Sequence, residues 1–216
     1  MAAPGKRKRL FGGVVLLLAA LFLCTLVLFY QLTRPSEIEF AQDPNPVEAH
    51  EANRKLRLLA QARESNRFGW VRLSEVEINS FIETSYSLPT NAPANPSVRI
   101  VKSGVLLHPT NLTFITWIEK PLLRWALPFV WQRTVTPKEQ DGKWVFEVTS
   151  MTVGNVNIPE KLWPKVGEAF GAADAIFEER RAWVEKLPWL ALLRNELSSA
   201  PELRLYSRKP EDVTAQ

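Results

Sequence analysis

Two histidines and one cysteine are the scarcest carriers of acid–base, nucleophilic or metal chemistry in this 216-residue chain. His50 lies in a run of helical spacing and His108 stands beside Pro109, and neither has a neighbour in sequence that would orient it as a general base. Cys24 lies inside an uncharged stretch. With no second cysteine there is no intramolecular disulfide, and a zinc site would need several carboxylates for which no spacing speaks. Glu75 with Glu77, and Glu178 with Glu179, could in principle divide acid and base roles. Ser74-Glu75-Val76-Glu77 is better read as a capping box, and Glu178-Glu179-Arg180-Arg181 as a solvated helix end. No nucleophile elbow, glycine-rich phosphate loop or dinucleotide fingerprint occurs. The expectation is a non-enzymatic protein without cofactor or metal. Asn111-Leu112-Thr113 is a glycosylation sequon, read here as a turn before a strand.

The residues that stand out are aromatic: Trp70, Trp117, Trp125, Trp131, Trp144, Trp163, Trp183 and Trp189. They could fill a core that has no disulfide to help it. They could also line an apolar groove between a curved sheet and a helix, open to an acyl chain or to a partner's hydrophobic segment. The candidate ligand-binding residues of such a groove are Trp117, Leu123, Trp125, Leu127, Phe129, Trp131, Trp144 and Phe146. Alternation along strands suits a closed core and an open groove equally, so both readings stand at this point.

The elements that must position these residues begin with an anchor. From Leu10 to Tyr30 no residue is charged, and a helix of about 31 Å would match a hydrocarbon core of about 30 Å. Lys6, Arg7, Lys8 and Arg9 precede it and only Arg34 follows closely, which places the N-terminus in the cytoplasm and the rest outside. The stretch is too long for a cleaved signal peptide and lacks small residues at a cleavage site, so it reads as an uncleaved signal anchor. Those five basic residues account for the net charge of +4, and the remainder is nearly neutral, so no nucleic-acid partner is expected. The chain divides into a basic N-terminus over 1–9, a transmembrane segment over 10–32, a proline-containing stalk over 33–47, an outer domain over 48–208 and a tail over 209–216.

Within the outer domain, Ala52, Leu56, Leu59 and Arg63 predict a helix over 48–64, with a basic face that either meets solvent or contacts anionic head groups. Residues 70–73 suggest a short strand. The capping box then opens a helix through about Ser87, and the proline-rich stretch 88–97 reads as a loop. Four segments, 98–108, 111–119, 122–137 and 143–158, are rich in β-branched and aromatic residues, and Asp141-Gly142 signals a hairpin between the last two. Pro128 predicts an edge or a bulge in the third segment. In the fourth, Trp144, Phe146 and Val148 are even, Met151 and Val153 odd, and Val156 and Ile158 even again. A bulge or bend near Ser150 and another near Gly154 would keep one face apolar. Pro159 opens a helix carrying Leu162, Val166, Phe170, Ala173 and Phe177. A shorter helix is expected through Leu190, Leu193 and Leu197, then a short strand over 203–206. The fold class is therefore α+β: one N-terminal transmembrane helix, then a curved antiparallel meander of about four to six strands packed with N-terminal and C-terminal helices.

The run Leu-Ser-Glu-Val-Glu-Ile-Asn-Ser-Phe-Ile (73–82), and Val-Gly-Asn-Val-Asn-Ile-Pro (153–159) leading into a helix after a long meander, resemble the YpmS-type family of membrane-anchored extracytoplasmic proteins. More loosely, they resemble domains related to tubular lipid-binding folds. The resemblance spans about Val71 to Phe177. It implies a bacterial envelope location and an α+β domain, and it carries no catalytic residue; with the anchor, the expected location is the bacterial inner membrane with the domain extracytoplasmic (periplasmic). The expected partners are the lipid bilayer and either a lipid ligand or an envelope protein. The primary expectation is a domain that binds lipid or another apolar ligand, and the alternative is a tethered interaction subunit of an envelope complex.

Overall fold

A computed structural model describes residues 4–34, 38, 40, 42–85, 98–122, 125–140, 143–185, 189–194 and 200–209. The proline-rich stretch 88–97, the Asp141-Gly142 turn, Leu123, Leu197 and residues 210–216 lie outside that set.

Helix α1 runs from Pro4 to Thr33, and its segment Leu16–Thr33 is long and apolar enough to cross a membrane. Leu16, Leu17, Phe22, Leu23 and Tyr30 all stand exposed along it. Helix α2 (Pro46–Glu64) begins where Asn45 accepts the Glu48 N–H at 3.0 Å and Pro46 supplies a preset φ at the first position. It buries Ala49, Ala52 and Leu59 and leaves its arginines outside. Strand β1 (Trp70–Ser74) leads into α3 (Glu75–Ser85). The expected capping box is formed: Glu77 Oε2 accepts the Ser74 N–H at 2.8 Å, and Ser74 Oγ accepts the Glu77 N–H at 3.3 Å. Lys55 reaches across from α2 to the same, buried Glu77.

The meander comprises β2 (Arg99–Leu107), β3 (Leu112–Leu122), β4 (Trp125–Gln140), β5 (Lys143–Val153) and the short β6 (Val156–Asn157), antiparallel in that order. After a 3₁₀ turn at Glu160–Leu162, α4 (Trp163–Glu185) packs on it, with a break in helical geometry at Gly171. Two C-terminal strands, β7 (Trp189–Arg194) and β8 (Pro201–Tyr206), join β1 in a second antiparallel sheet ordered β1-β8-β7. The helix expected through Leu190, Leu193 and Leu197 is thus corrected to a strand. Leu190 and Leu192 alternate onto Leu205 and Leu203 of β8, and the step-of-two pattern prevails once that partner is present.

The parity shift in β5 has the expected cause. The β4–β5 register steps between Thr134 and Val135, from Thr134 opposite Ser150 to Val135 opposite Val148, which leaves Thr149 as the extra residue of a bulge. Phe146 and Val148 on one side of it, and Met151 and Val153 on the other, thereby share the face on which α4 packs. The second break, at Gly154, is a two-residue turn between Val153 and Val156. Pro128 behaves as an edge residue although β4 is central: β5 pairs no lower than Trp131, so at Pro128 the strand has a neighbour on the β3 side alone.

One core cluster joins Val105, Leu107, Leu112, Phe114, Val135 and Phe146 of the large sheet to helices and to Leu190, Leu203 and Leu205 of the small one. The other joins Ile118, Trp131, Met151 and Val153 to Phe170 and Ala173 of α4. The outer edge of β2 is closed by side chains of α3. Asn79 donates to Val105 O at 2.9 Å and accepts the Val105 N–H at 2.7 Å, and Glu75 accepts the Leu107 N–H at 3.0 Å. Residues four apart on one helix face thus serve backbone groups two apart on a strand.

Candidate functional site: the α4 cleft and the helix joint

The eight candidate side chains fall into different settings. Phe129 and Trp131 are brought together over α4, with ring centroids 5.7 and 5.4 Å from that of Phe170. Trp144 and Phe146 belong to the other core cluster, Phe146 buried within it and Trp144 half-buried at its margin. Trp117 faces the opposite side of the sheet from Trp131, because its cross-strand partner is Val130. There its ring lies 5.6 Å from Phe40, with Lys102 Nζ 5.8 Å from its centroid. Leu127 is half-buried, Trp125 is 76% exposed, and Leu123 lies outside the described residues. The face over α4 is therefore occupied by packing at Phe129 and Trp131, and the two ends of the aromatic series go elsewhere.

Alternation of apolar residues did not reveal Arg133, which sits in phase with Trp131 and Val135 on the buried face and is 5% exposed. Its guanidinium carbon lies 4.0 Å from the Trp131 ring centroid and 4.2 Å from that of Phe177. Asp174 pairs with it directly, and Glu178 stands 3.6 Å from Nη1. Burial, with a smaller contribution from the nearby Arg181 charge, holds its pKa below the ordinary arginine value, and the hydrogen bond and charge of Asp174 and the charge of Glu178 offset this only in part. An arginine remains a cation through such opposing effects. The signal was available in sequence as the one charge in the apolar phase of the third β segment, with Asp174 and Glu178 four apart on one helix face.

Beside this arginine is a cleft of about 370 Å³ lined by Val148, Met151, Glu160, Trp163, Gly167, Asp174 and Glu178, among others. A Cβ at Gly167 would meet the Asp174 carboxylate at 3.2 Å, so that glycine leaves room for the ion pair. The wall is partly apolar, and its one cation, Arg133, is engaged by Asp174 and Glu178 of α4, an arrangement suited to holding α4 on the sheet. Among the described residues, no histidine or cysteine lines it, and no group of three acidic, histidine or cysteine side chains is arranged to hold a metal.

The second notable arrangement is the joint between α1 and the meander. The Gly154 N–H donates to Val130 O at 2.8 Å and the Asn155 N–H donates to Gln31 O at 3.1 Å, so the β5–β6 turn caps a free carbonyl at the end of α1. Gly154 has φ +55°, and a Cβ there would stand 2.5 Å from Gln31 O and against Leu32 O as well. Both conditions call for glycine. Leu32 packs on the Trp131–Phe170 cluster, and Phe40, in the segment expected to be a stalk, lies on the sheet at Trp117. No family model matches the chain, and no curated protein is significantly similar to it.

Proposed function

We propose that this chain is a non-enzymatic, single-pass membrane protein whose uncleaved N-terminal helix holds an α+β domain against the extracytoplasmic face of a bacterial inner membrane, where the domain makes its apolar contacts with lipid. The observation that carries this reading is the joint at Gly154. A signal sequence destined for removal has no reason to end packed on the mature domain, whereas here the Gln31 carbonyl accepts from Asn155 and Leu32 packs, half-buried, on the Trp131–Phe170 cluster. The basic residues Lys6 to Arg9 at the start of α1, ahead of its apolar segment, support the orientation, and the resemblance to YpmS-type proteins supports the envelope location. The pairing of Arg133 with Asp174 and Glu178, and its packing against Trp131 and Phe177, support a structural use of that cleft. Contact at the domain surface is favoured over a ligand held under the sheet, because Phe129 and Trp131 meet Phe170 where a groove would have opened.

The test is expression of the full chain in a Gram-negative bacterium, followed by alkaline carbonate extraction and protease treatment of spheroplasts. The expected result is a carbonate-resistant protein of full length whose outer domain is digested from outside. A soluble product lacking the first 30 or so residues would overturn the anchor. A domain shielded from protease would overturn the orientation.

A further inference from the structure

We propose that the exposed start of β4 at Trp125 and Ala126, here called the tip, is a second element in contact with the bilayer that α1 enters. This rests on the reading of α1 as an uncleaved anchor.

The strand registers give the direction. Val130, Trp117 and Lys102 form one cross-strand row, and α1 ends beside it, through Gly154 on Val130 and Asn155 on Gln31. The chain leaving α1 then runs toward higher-numbered rows of β4. Phe40 packs on Trp117 and would clash with any side chain at Gly104, whose row contains Ile115 and Gln132. Asn45 next bonds Ser80, whose neighbour Asn79 grips Val105 in the following row. The larger core cluster gathers still farther along, around Val135 and Phe146. The bulk of the domain thus lies toward rising residue number on β4, and the run from Val130 down to Trp125 points back toward the membrane side of α1.

The reach is sufficient. Five residues of strand span about 17 Å, and even inclined at about 60° to the axis of α1 they descend about 8 Å, past the level of Tyr30. The exposure pattern agrees with that position. Trp125 is 76% exposed, Pro121, Ala126 and Pro128 are exposed around it, and β5 stops short of this part of β4. An indole so far out of the fold, at a hairpin end that carries Lys120 and Arg124 among apolar residues, is poorly placed in water. The head-group region, wet at one side and apolar at the other, is where tryptophan accumulates.

The experiment labels single cysteines with an environment-sensitive nitrobenzoxadiazole dye in the full chain carrying Cys24→Ser, reconstituted into vesicles of phosphatidylethanolamine and phosphatidylglycerol with or without spin-labelled lipid. Trp125→Cys reports the tip, and Ala126→Cys does so with Trp125 retained. Val145→Cys, exposed and paired with Lys138 at the other end of the sheet, reports the far side. The expected result is loss of more than half the tip emission to spin-labelled lipid with the signal at position 145 unchanged. Equal, weak quenching at both ends in a carbonate-resistant protein would overturn the tip contact and leave the anchor standing. A blue-shifted tip label that spin-labelled lipid does not quench would assign the tip to a protein neighbour and also overturn it. Release of the chain by carbonate would overturn the anchor and this inference together.

Discussion

Asparagine is an indifferent helix former, yet Asn79 occupies the middle of α3 and is 1% exposed, because its amide matches the two backbone groups of Val105 that face away from the sheet. Asn79→Ala leaves both groups buried without a partner, and the expected loss of stability is about 2–4 kcal/mol. In the full chain in detergent this reads as a lower thermal midpoint with unchanged helix content at low temperature. A loss under about 0.5 kcal/mol would mean that water reaches the β2 edge. Arg133 supports a sharper comparison. Asp174→Ala removes its direct partner and should destabilise by about 2–3 kcal/mol, since a buried cation is left with Glu178 at a longer distance. Adding Arg133→Met to that variant should recover most of the loss, because a buried ion pair is worth little more than apolar packing of the same volume. Failure of the double variant to recover would show that the guanidinium does more than neutralise Asp174, and would return attention to the cleft beside it.

At the scale of elements the decisive device is one residue, Thr149, the extra member of the β5 bulge. Deleting it would turn either Trp144, Phe146 and Val148 or Met151 and Val153 to the wrong face of the sheet, since side chains alternate with a period of two. The expected outcome is an aggregated or protease-sensitive protein, checked against Thr149→Ala, which keeps the count and should fold. This bulge is legible in the sequence because an apolar run that changes parity can keep one face only by inserting a residue or bending. The capping box at Ser74 and the edge character of Pro128 are legible in the same way: each follows from a local backbone requirement. β7 is not, because six residues rich in leucine fit a period of two or of nearly four equally well, and the deciding partner, β8, lies beyond the intervening residues. Whether the aromatic strand lines a core or a groove is likewise illegible. That depends on the distance between α4 and the sheet, which periodicity does not encode.

For the whole molecule, the consequence of the joint is that the end of the apolar N-terminal helix packs against the core of the domain. A simple tether would leave the domain indifferent to the loss of everything before α2. Here Leu32 packs beside the Trp131–Phe170 cluster, and Phe40 covers Trp117 and Gly104, so a chain beginning at residue 43 loses two large apolar contacts. Burial of one such side chain is worth about 1.5–3 kcal/mol, and together they predict a loss of about 3–5 kcal/mol. For a domain of this length that is a fall in melting temperature of about 6–20 °C. The comparison is a chain beginning at residue 31, which keeps both contacts while lacking the apolar span, with both proteins measured in the same detergent by scanning calorimetry. Indistinguishable midpoints would mean that the seat of residues 31–40 is incidental and that the domain is free to turn relative to α1. A clear difference would mean that residues 31–40 fix the end of α1 on the domain, so that under the proposed anchoring the helix and the sheet keep one relative orientation.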